Sequence, residues 1–426
     1  MQSILALSIF LVAFSLIASE RVNKVAVVLV AAGAMVVTGI IPGADVFFSE
    51  REGIDWNVIF LLLAMMLIVA VVKQTGLFDY LGIWSAKRSG GRPYRLMVLL
   101  MAVTAIASPI LDNVTIIMLV APVTIVVCNR LKLPAQPYLI AEVLASNIGG
   151  AATLIGDPPN IIIASRAGLS FNDFIVHMTP IVVVVFVLFV LLTRVLFRKQ
   201  FRYNHEEIAA VLALDERRAI TDPKLLRRSL VVLSGVIIGF CLHPLHGLEP
   251  SMIALLGAGL MLLVTRADIG ELLPEVEWPT LVFFAGLFMM VAGLSHTGVI
   301  DTVGNWAVDT LGDSPFGSAT TLLFGSGVFG AFFDNIPYAA TMAPVVEDMV
   351  AQAPEGSGQA LWWAFALGAD FGGNGTAVAA SANVVAIGIA ARAGHKITFW
   401  QFTKYGACVT VFSIVLAWIY VWLRYF

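Results

Sequence analysis

Asp112-Asn113 lies inside Ala107-Ser-Pro-Ile-Leu-Asp-Asn113, and Asp334-Asn335 lies inside Gly330-Ala-Phe-Phe-Asp-Asn335, each bounded by charge-free apolar runs. The two sites are 334 − 112 = 222 residues apart. A charged side chain in hydrocarbon costs about 2.5–3.5 kcal/mol on insertion scales, so such a residue faces a pathway or a partner rather than lipid. Two of them at matching places in two halves point to a substrate path built by duplication.

The runs around these sites decide the fold class. Gln2–Ser19, Trp56–Val72, Leu96–Leu111, Ser229–Leu248, Trp278–Ile300 and Tyr405–Leu423 contain no Asp, Glu, Lys or Arg. Several reach the ~17–25 residues that a helix needs to span a bilayer, and they lack the alternation of barrel strands. Only 12% of the chain is charged, against roughly 25% in a globular domain, which excludes a soluble fold. The reading is an all-α polytopic membrane protein, integral to the cell (inner) membrane. A net charge of −3 leaves no basic domain for nucleic acid. Cys128, Cys241 and Cys408 are far apart and share no metal-type spacing with histidine, so no zinc site, disulfide framework or other cofactor is expected. Met1-Gln-Ser-Ile-Leu lacks the basic start of a signal peptide and reads as a retained first span.

The offset of 222 also aligns Trp56 with Trp278, Gly76 with Gly298, Asp79 with Asp301 and Pro122 with Pro344. It becomes 223 for Gly149-Gly150 against Gly372-Gly373, Thr153 against Thr376, Asn160 against Asn383, and Asn147 against Asp370. So ordered a series marks an internal repeat. Residues 1–198 form the first copy, with a re-entrant hairpin at about 94–129 and a broken helix at about 137–166. A linker, 199–227, leads to the second copy, 228–426, with its hairpin at about 316–348 and broken helix at about 359–392. Each copy has five transmembrane helices plus the hairpin, whose legs look too short to cross. Five spans per copy make the copies inverted.

Charge gives the orientation. Residues 20–24, 85–95, 129–137, 194–228, 266–278 and 392–404, with Lys73, hold 22 of the 25 Lys and Arg. The positive-inside rule then makes those segments cytoplasmic and both termini external. Trp362, Trp363 and Trp400 read as interfacial anchors.

Polar side chains gather in the hairpins and broken helices. Asn113, Asn147, Gly149, Gly150, Thr153, Asn335, Gly372, Gly373, Asn374, Thr376 and Asn383 are the candidate substrate ligands, and Asp112, Asp157, Asp334, Asp370 and Glu142 the candidate proton or cation groups. Glycine lets a helix unwind and expose its backbone, and Asp157-Pro158-Pro159-Asn160 breaks the helix outright. Freed carbonyls at a half-helix C-terminus suit Na⁺ or proton donors, and half-helix N-termini suit anions or lone pairs. No Lys or Arg is expected inside the membrane, so four aspartates would repel a dianion unless cations accompany it.

These segments resemble the ion transporter superfamily, in particular the ArsB-type arsenite permeases and the related melanosomal P protein. Ile140-Ala-Glu-Val143, Asn147-Ile-Gly-Gly-Ala-Ala-Thr153, Ile155-Gly-Asp-Pro-Pro-Asn160, Asp334-Asn-Ile-Pro337, Gly372-Gly-Asn-Gly-Thr376 and Ser381-Ala-Asn383 carry the resemblance. It implies an inverted-repeat fold, substrate held between hairpin tips and broken helices, alternating access, a homodimer, and for arsenite permeases a soluble ATPase subunit. The hairpin tips lack the Ser-Asn-Thr triplets of dicarboxylate carriers. Neutral arsenite or antimonite, with hydroxyls that need donors and acceptors, suits Asn and Asp. The expected function is therefore arsenite or antimonite efflux by proton antiport. Na⁺/H⁺ antiport and Na⁺-coupled anion or carboxylate transport are the alternatives, and an intramembrane aspartyl protease a remote one.

Overall fold

A computed structural model describes residues 2–19, 21–49, 53–201, 216–311, 314–354 and 356–426. Among these, helices of ten or more residues number nine in each half. The first half contains α1 (Gln2–Ala18), α2 (Lys24–Val37), α3 (Trp56–Gln74), α4 (Leu77–Ser89), α5 (Pro93–Ala107), α6 (Asn113–Arg130), α7 (Ala135–Gly150), α8 (Pro158–Ala167) and α9 (Thr179–Leu196). The second contains α10 (Pro223–His246), α11 (Pro250–Thr265), α12 (Trp278–His296), α13 (Val299–Leu311), α14 (Pro315–Phe332), α15 (Asn335–Gln352), α16 (Gly358–Gly372), α17 (Ser381–Arg392) and α18 (Phe399–Tyr425). The same series thus runs twice, each helix having its counterpart nine places on. All described secondary structure is helical, as the charge-free runs require, because a backbone in hydrocarbon must satisfy its own polar groups.

Local sequence sets the helix starts. Asn23 caps α2 by accepting from the Val25 and Ala26 N–H groups, and Asp55 caps α3 through Val58 N–H. Proline occupies the first turn of α5, α8, α9, α10, α11, α12 and α14, where its missing donor leaves nothing unpaired. Pro122 and Pro344 sit inside α6 and α15 at repeat-matched places.

The helices sort into two layers. In one, α5 and α6 form a hairpin against α7, and α14 and α15 form a hairpin against α16. The halves interlock there, since α8 packs on α15 and α17 packs on α6. In the other layer α2 packs on α12, and α3 on α11, flanked by α1 and α10. Glycine permits the closest approaches. A Cβ on Gly149 would lie 2.4 Å from the Ala105 carbonyl oxygen, and one on Gly372 would lie 2.9 Å from that of Gly327. These contacts are repeat mates.

Several expectations change. Helices α4 and α13 lie in segments that the sequence layout leaves between spans. Leg α6 is not too short: among the described residues it belongs with α3, α9, α10, α12 and α18 to six helices long and apolar enough to cross a membrane. Trp362 and Trp363 are not interfacial anchors, because both are buried and Trp363 stacks on His177 with ring centroids 4.8 Å apart. Trp400 is exposed. The linker reading, 199–227, falls partly outside the described residues, at 202–215. Its end docks on the α3–α4 turn, where Thr221 N–H donates to the Thr75 carbonyl at 3.1 Å and Lys87 pairs with Glu216 at 2.5 Å.

Gly149→Ala and Gly372→Ala should each destabilise the protein by about 1–3 kcal/mol through overpacking. Gly235→Ala, whose Cβ would meet nothing within 4 Å, should not. Melting temperatures in detergent compare the three.

Candidate functional site

Each hairpin turns at its Asp-Asn. Asp112 precedes α6 and accepts from the Val114 and Thr115 N–H groups at 3.0 and 2.9 Å, and from the Thr115 hydroxyl. Asp334 precedes α15 and accepts from Ile336 N–H at 3.2 Å. Both carboxylates therefore act as N-caps, a bracing role that sequence reasoning gave to neither.

The asparagines that follow point into a buried amide network. Asn113 Nδ2 donates to Asn147 Oδ1 at 3.3 Å. Asn147 Nδ2 approaches Asn374 Oδ1 at 3.0 Å, Asn383 Oδ1 at 3.1 Å and the Gly373 carbonyl at 3.5 Å. One side chain of the first half thus ties together both arms of the second half's broken helix. Asn383 Nδ2 donates to the Thr376 carbonyl at 2.9 Å, and its repeat mate Asn160 donates to the Thr153 carbonyl at 3.1 Å. Each asparagine closes the break in its own helix by taking up a carbonyl that unwinding has freed. Asn335 Nδ2 donates to Asp157 Oδ2 at 3.4 Å, and Thr153 Oγ1 donates to the Pro109 carbonyl.

Asp157 and Asp370 are at most 1% exposed, one on each broken helix. Asp370 lies beside Asn160, yet neither of its oxygens meets a donor in hydrogen-bonding geometry. Asp157 Oδ1 and Asn160 Oδ1 are likewise unpartnered, and the one unpartnered donor of the network is Asn374 Nδ2. Buried lone pairs left this way are costly, and the unpartnered atoms of this network are mostly oxygens. Among the described residues no group of three His, Cys, Asp or Glu side chains is placed to hold a metal ion. Glu142 stands apart from the network. Thr124 donates to its Oε1 at 2.7 Å, while Oε2 is buried without a partner.

The candidate glycines serve packing first. Gly149 and Gly372 meet neighbouring backbone, Gly150 faces the Gly156 carbonyl, and Gly373 lies under Asn335 Nδ2. Among these candidates Gly373 offers its carbonyl to the network. Thr376 Oγ1 accepts from Val378 N–H, a turn contact.

Two repeat-related cavities lie beside this core, one at the starts of α3 and α11, the other at the starts of α2 and α12. One, of about 1050 Å³, includes Asp55, Asn57, Leu154, Ile161, Ser165 and Glu249, and reaches neither hairpin tip. The other, of about 580 Å³, includes Lys24, Val114, Glu277, Thr280, Asp334 and Ser381. The larger cavity is thus the one farther from the chemistry. Lys24, the first residue of α2, brings a cationic side chain to this cavity, its Nζ 3.3 Å from Asp334 Oδ2. Its signal in the sequence is a lone lysine at the start of the second apolar span. Glu277, the repeat mate of Asp55, was also missed. Burial and the nearby Asp112 charge push its carboxyl up to about 7.

Comparison with known proteins gives the following likenesses. The CitMHS family profile, described as citrate transporter, matches residues 14–368. The "46 kDa membrane protein" of Mycobacterium leprae is 51% identical over 425 residues, covering 100% of this chain and 99% of that one. The P protein of Mus musculus is 33% identical, over 97% of this chain and 59% of its own length. The YdaH transporter of Alcanivorax borkumensis superposes with a TM-score of 0.58 at 14% identity, covering 99% of this chain and 98% of that one, a likeness of fold.

Asn147→Ala should cost about 1–3 kcal/mol by leaving buried amide partners unpaired, and more than Asn113→Ala, which removes a single side-chain bond. Thermal unfolding of both variants in detergent gives the order.

Proposed function

Because this chain belongs to the CitMHS citrate-transporter family, we propose that it is a secondary carrier that moves a small carboxylate together with neutralising cations, by alternating access. The observation that carries this reading is the oxygen surplus at Asp157, Asn160 and Asp370. A carboxylate alone would add charge of the wrong sign to that core, whereas a carboxylate accompanied by protons or Na⁺ balances it. The asparagine amides then supply donors to the carboxylate, and the freed carbonyls supply lone pairs to the cation. Asp112 and Asp334, held at the tips by their own helix starts, are the groups that meet the cation as it enters.

A second reading, arsenite or antimonite efflux by proton antiport, is favoured by the amide network, which offers both donors and acceptors to the hydroxyls of a neutral metalloid. The relatives named above carry no arsenite description, and the family's own description is citrate, which puts the carboxylate first. A thiolate trio plays no part, since Cys128 is buried and Cys241 and Cys408 are distant in sequence. The family is one of transporters, not enzymes, which removes the protease alternative. An ion gradient supplies the work in both readings, so neither needs an ATPase subunit.

The two halves are inverted in this proposal, with the Lys- and Arg-rich segments cytoplasmic and both termini external, in a cell membrane. The cavity at Lys24 then opens to the cytoplasm. A single cysteine replacing the exposed Lys224 should react with an impermeant thiol reagent only in inside-out vesicles. Labelling from the outside would reverse the orientation.

Uptake into proteoliposomes separates the cargoes. Labelled citrate should accumulate when a Na⁺ or proton gradient is imposed, and arsenite should not. Asp370→Asn should abolish gradient-driven uptake, at least a tenfold loss, with the protein still monodisperse. Arsenite movement without citrate movement would install the second reading, and Na⁺/H⁺ exchange with neither solute would install antiport. Asp370→Asn with wild-type coupling would remove that carboxylate from the cation path.

A further inference from the structure

Asp112 and Asp334 are repeat mates with the same cap, yet their remaining partners differ. The partners of Asp112 come from its own helix start, ending at Thr115. Asp334 Oδ2 instead faces Lys24 Nζ at 3.3 Å, and the Ser381 hydroxyl donates to the same oxygen at 3.4 Å. Lys24 also donates to Ser381 Oγ at 3.3 Å and sits 5.1 Å above the Phe283 ring of α12. The ammonium is therefore fixed by four elements: its own α2, helix α12, the second hairpin tip, and the start of the second broken helix's distal arm. Lys24 belongs to the layer of α2 and α12, whereas Asp334 and Ser381 belong to the hairpin layer. The pair bridges the two layers across the cavity that reaches the hairpin tips.

At the other cavity the repeat mate of α2, helix α11, begins at Glu249-Pro250, and among the described residues the layers meet there through Ser165 donating to Asp55.

We propose that Lys24 is a tethered cation that occupies Asp334 in the empty carrier, holds it open toward the Lys24 end, and is displaced when the coupling cation loads. Lys24 is thus a positioning residue that sets both the resting state and the cation dependence of the switch. This rests on the cation-coupled reading above. Displacement breaks the Lys24–Asp334 ion pair and replaces it with Na⁺ or a proton on the same carboxylate. The freed ammonium stays among Glu277, Phe283 and solvent, Glu277 being the other acidic group of that cavity. The charge at Asp334 is balanced before and after the exchange, so that hairpin tip crosses with its carboxylate paired.

The test uses the full chain, free of native cysteines, with Val384→Cys, a position exposed in the Lys24 cavity. Labelling by an impermeant maleimide is followed in choline, in Na⁺ and at lowered pH. With Lys24 present, labelling should be fast in choline and slow at least fivefold in Na⁺ or acid. Lys24→Gln should label slowly in choline already and respond little to either cation, while Lys24→Arg should keep the original pattern. The swap Lys24→Asp with Asp334→Lys should regain fast labelling without regaining transport, which guards against simple misfolding of Lys24→Gln. Lys24→Gln that matches Lys24 in every medium, in a protein that does respond to cations, overturns the role of Lys24 alone. A Lys24 protein that labels at one rate in all three media overturns the cation-coupled reading as well.

Discussion

Everything in this molecule depends on one constraint: a backbone or side-chain polar group out of reach of water must find its partner inside the protein. Two helices are broken where the chain is most buried, and each break frees carbonyls. Asn160 and Asn383 answer this locally by donating to the Thr153 and Thr376 carbonyls. Asn147 answers it across the halves, through Gly373 and Asn374. What is left after these bonds is a surplus of unpartnered oxygen at Asp157, Asn160 and Asp370.

The glycines belong to the same argument from the other side. Partners can reach across the breaks only if the helices come close, and Gly149 and Gly372 let α7 and α16 lie directly on the hairpins. Their role is first to bring α5 onto α7 and α14 onto α16. The site is then built by the asparagines and aspartates that this approach carries inward.

Duplication explains the common plan, and departures from it hold the functional asymmetry. Asn147 faces Asp370 in the repeat, so one broken helix brings an amide where the other brings a charge. Asp112 and Asp334 share a cap, yet only Asp334 pairs with Lys24.

Much of this was legible in the sequence. Charge-free runs of spanning length leave helices as the single backbone solution in hydrocarbon, and the nearly constant offset between matched residues shows in the sequence the series of helices that runs twice. The identities of the polar residues in the breaks were legible too, because aspartate and asparagine stand out against apolar neighbours. Their partners were not. Whether Asp334 faces solvent, a cap or Lys24 is decided by how α2 packs beside the second hairpin, a contact between residues 310 positions apart. Trp362 and Trp363 show the same limit, since an aromatic near a helix start suits a lipid interface and a packed core equally until its neighbours are known. Sequence determined the elements and where polarity breaks them, because those follow from local burial and hydrogen-bonding demands. Tertiary structure alone decided which polar atoms pair and which are left over, because a hydrogen bond or an ion pair depends on a few tenths of an ångström between distant segments.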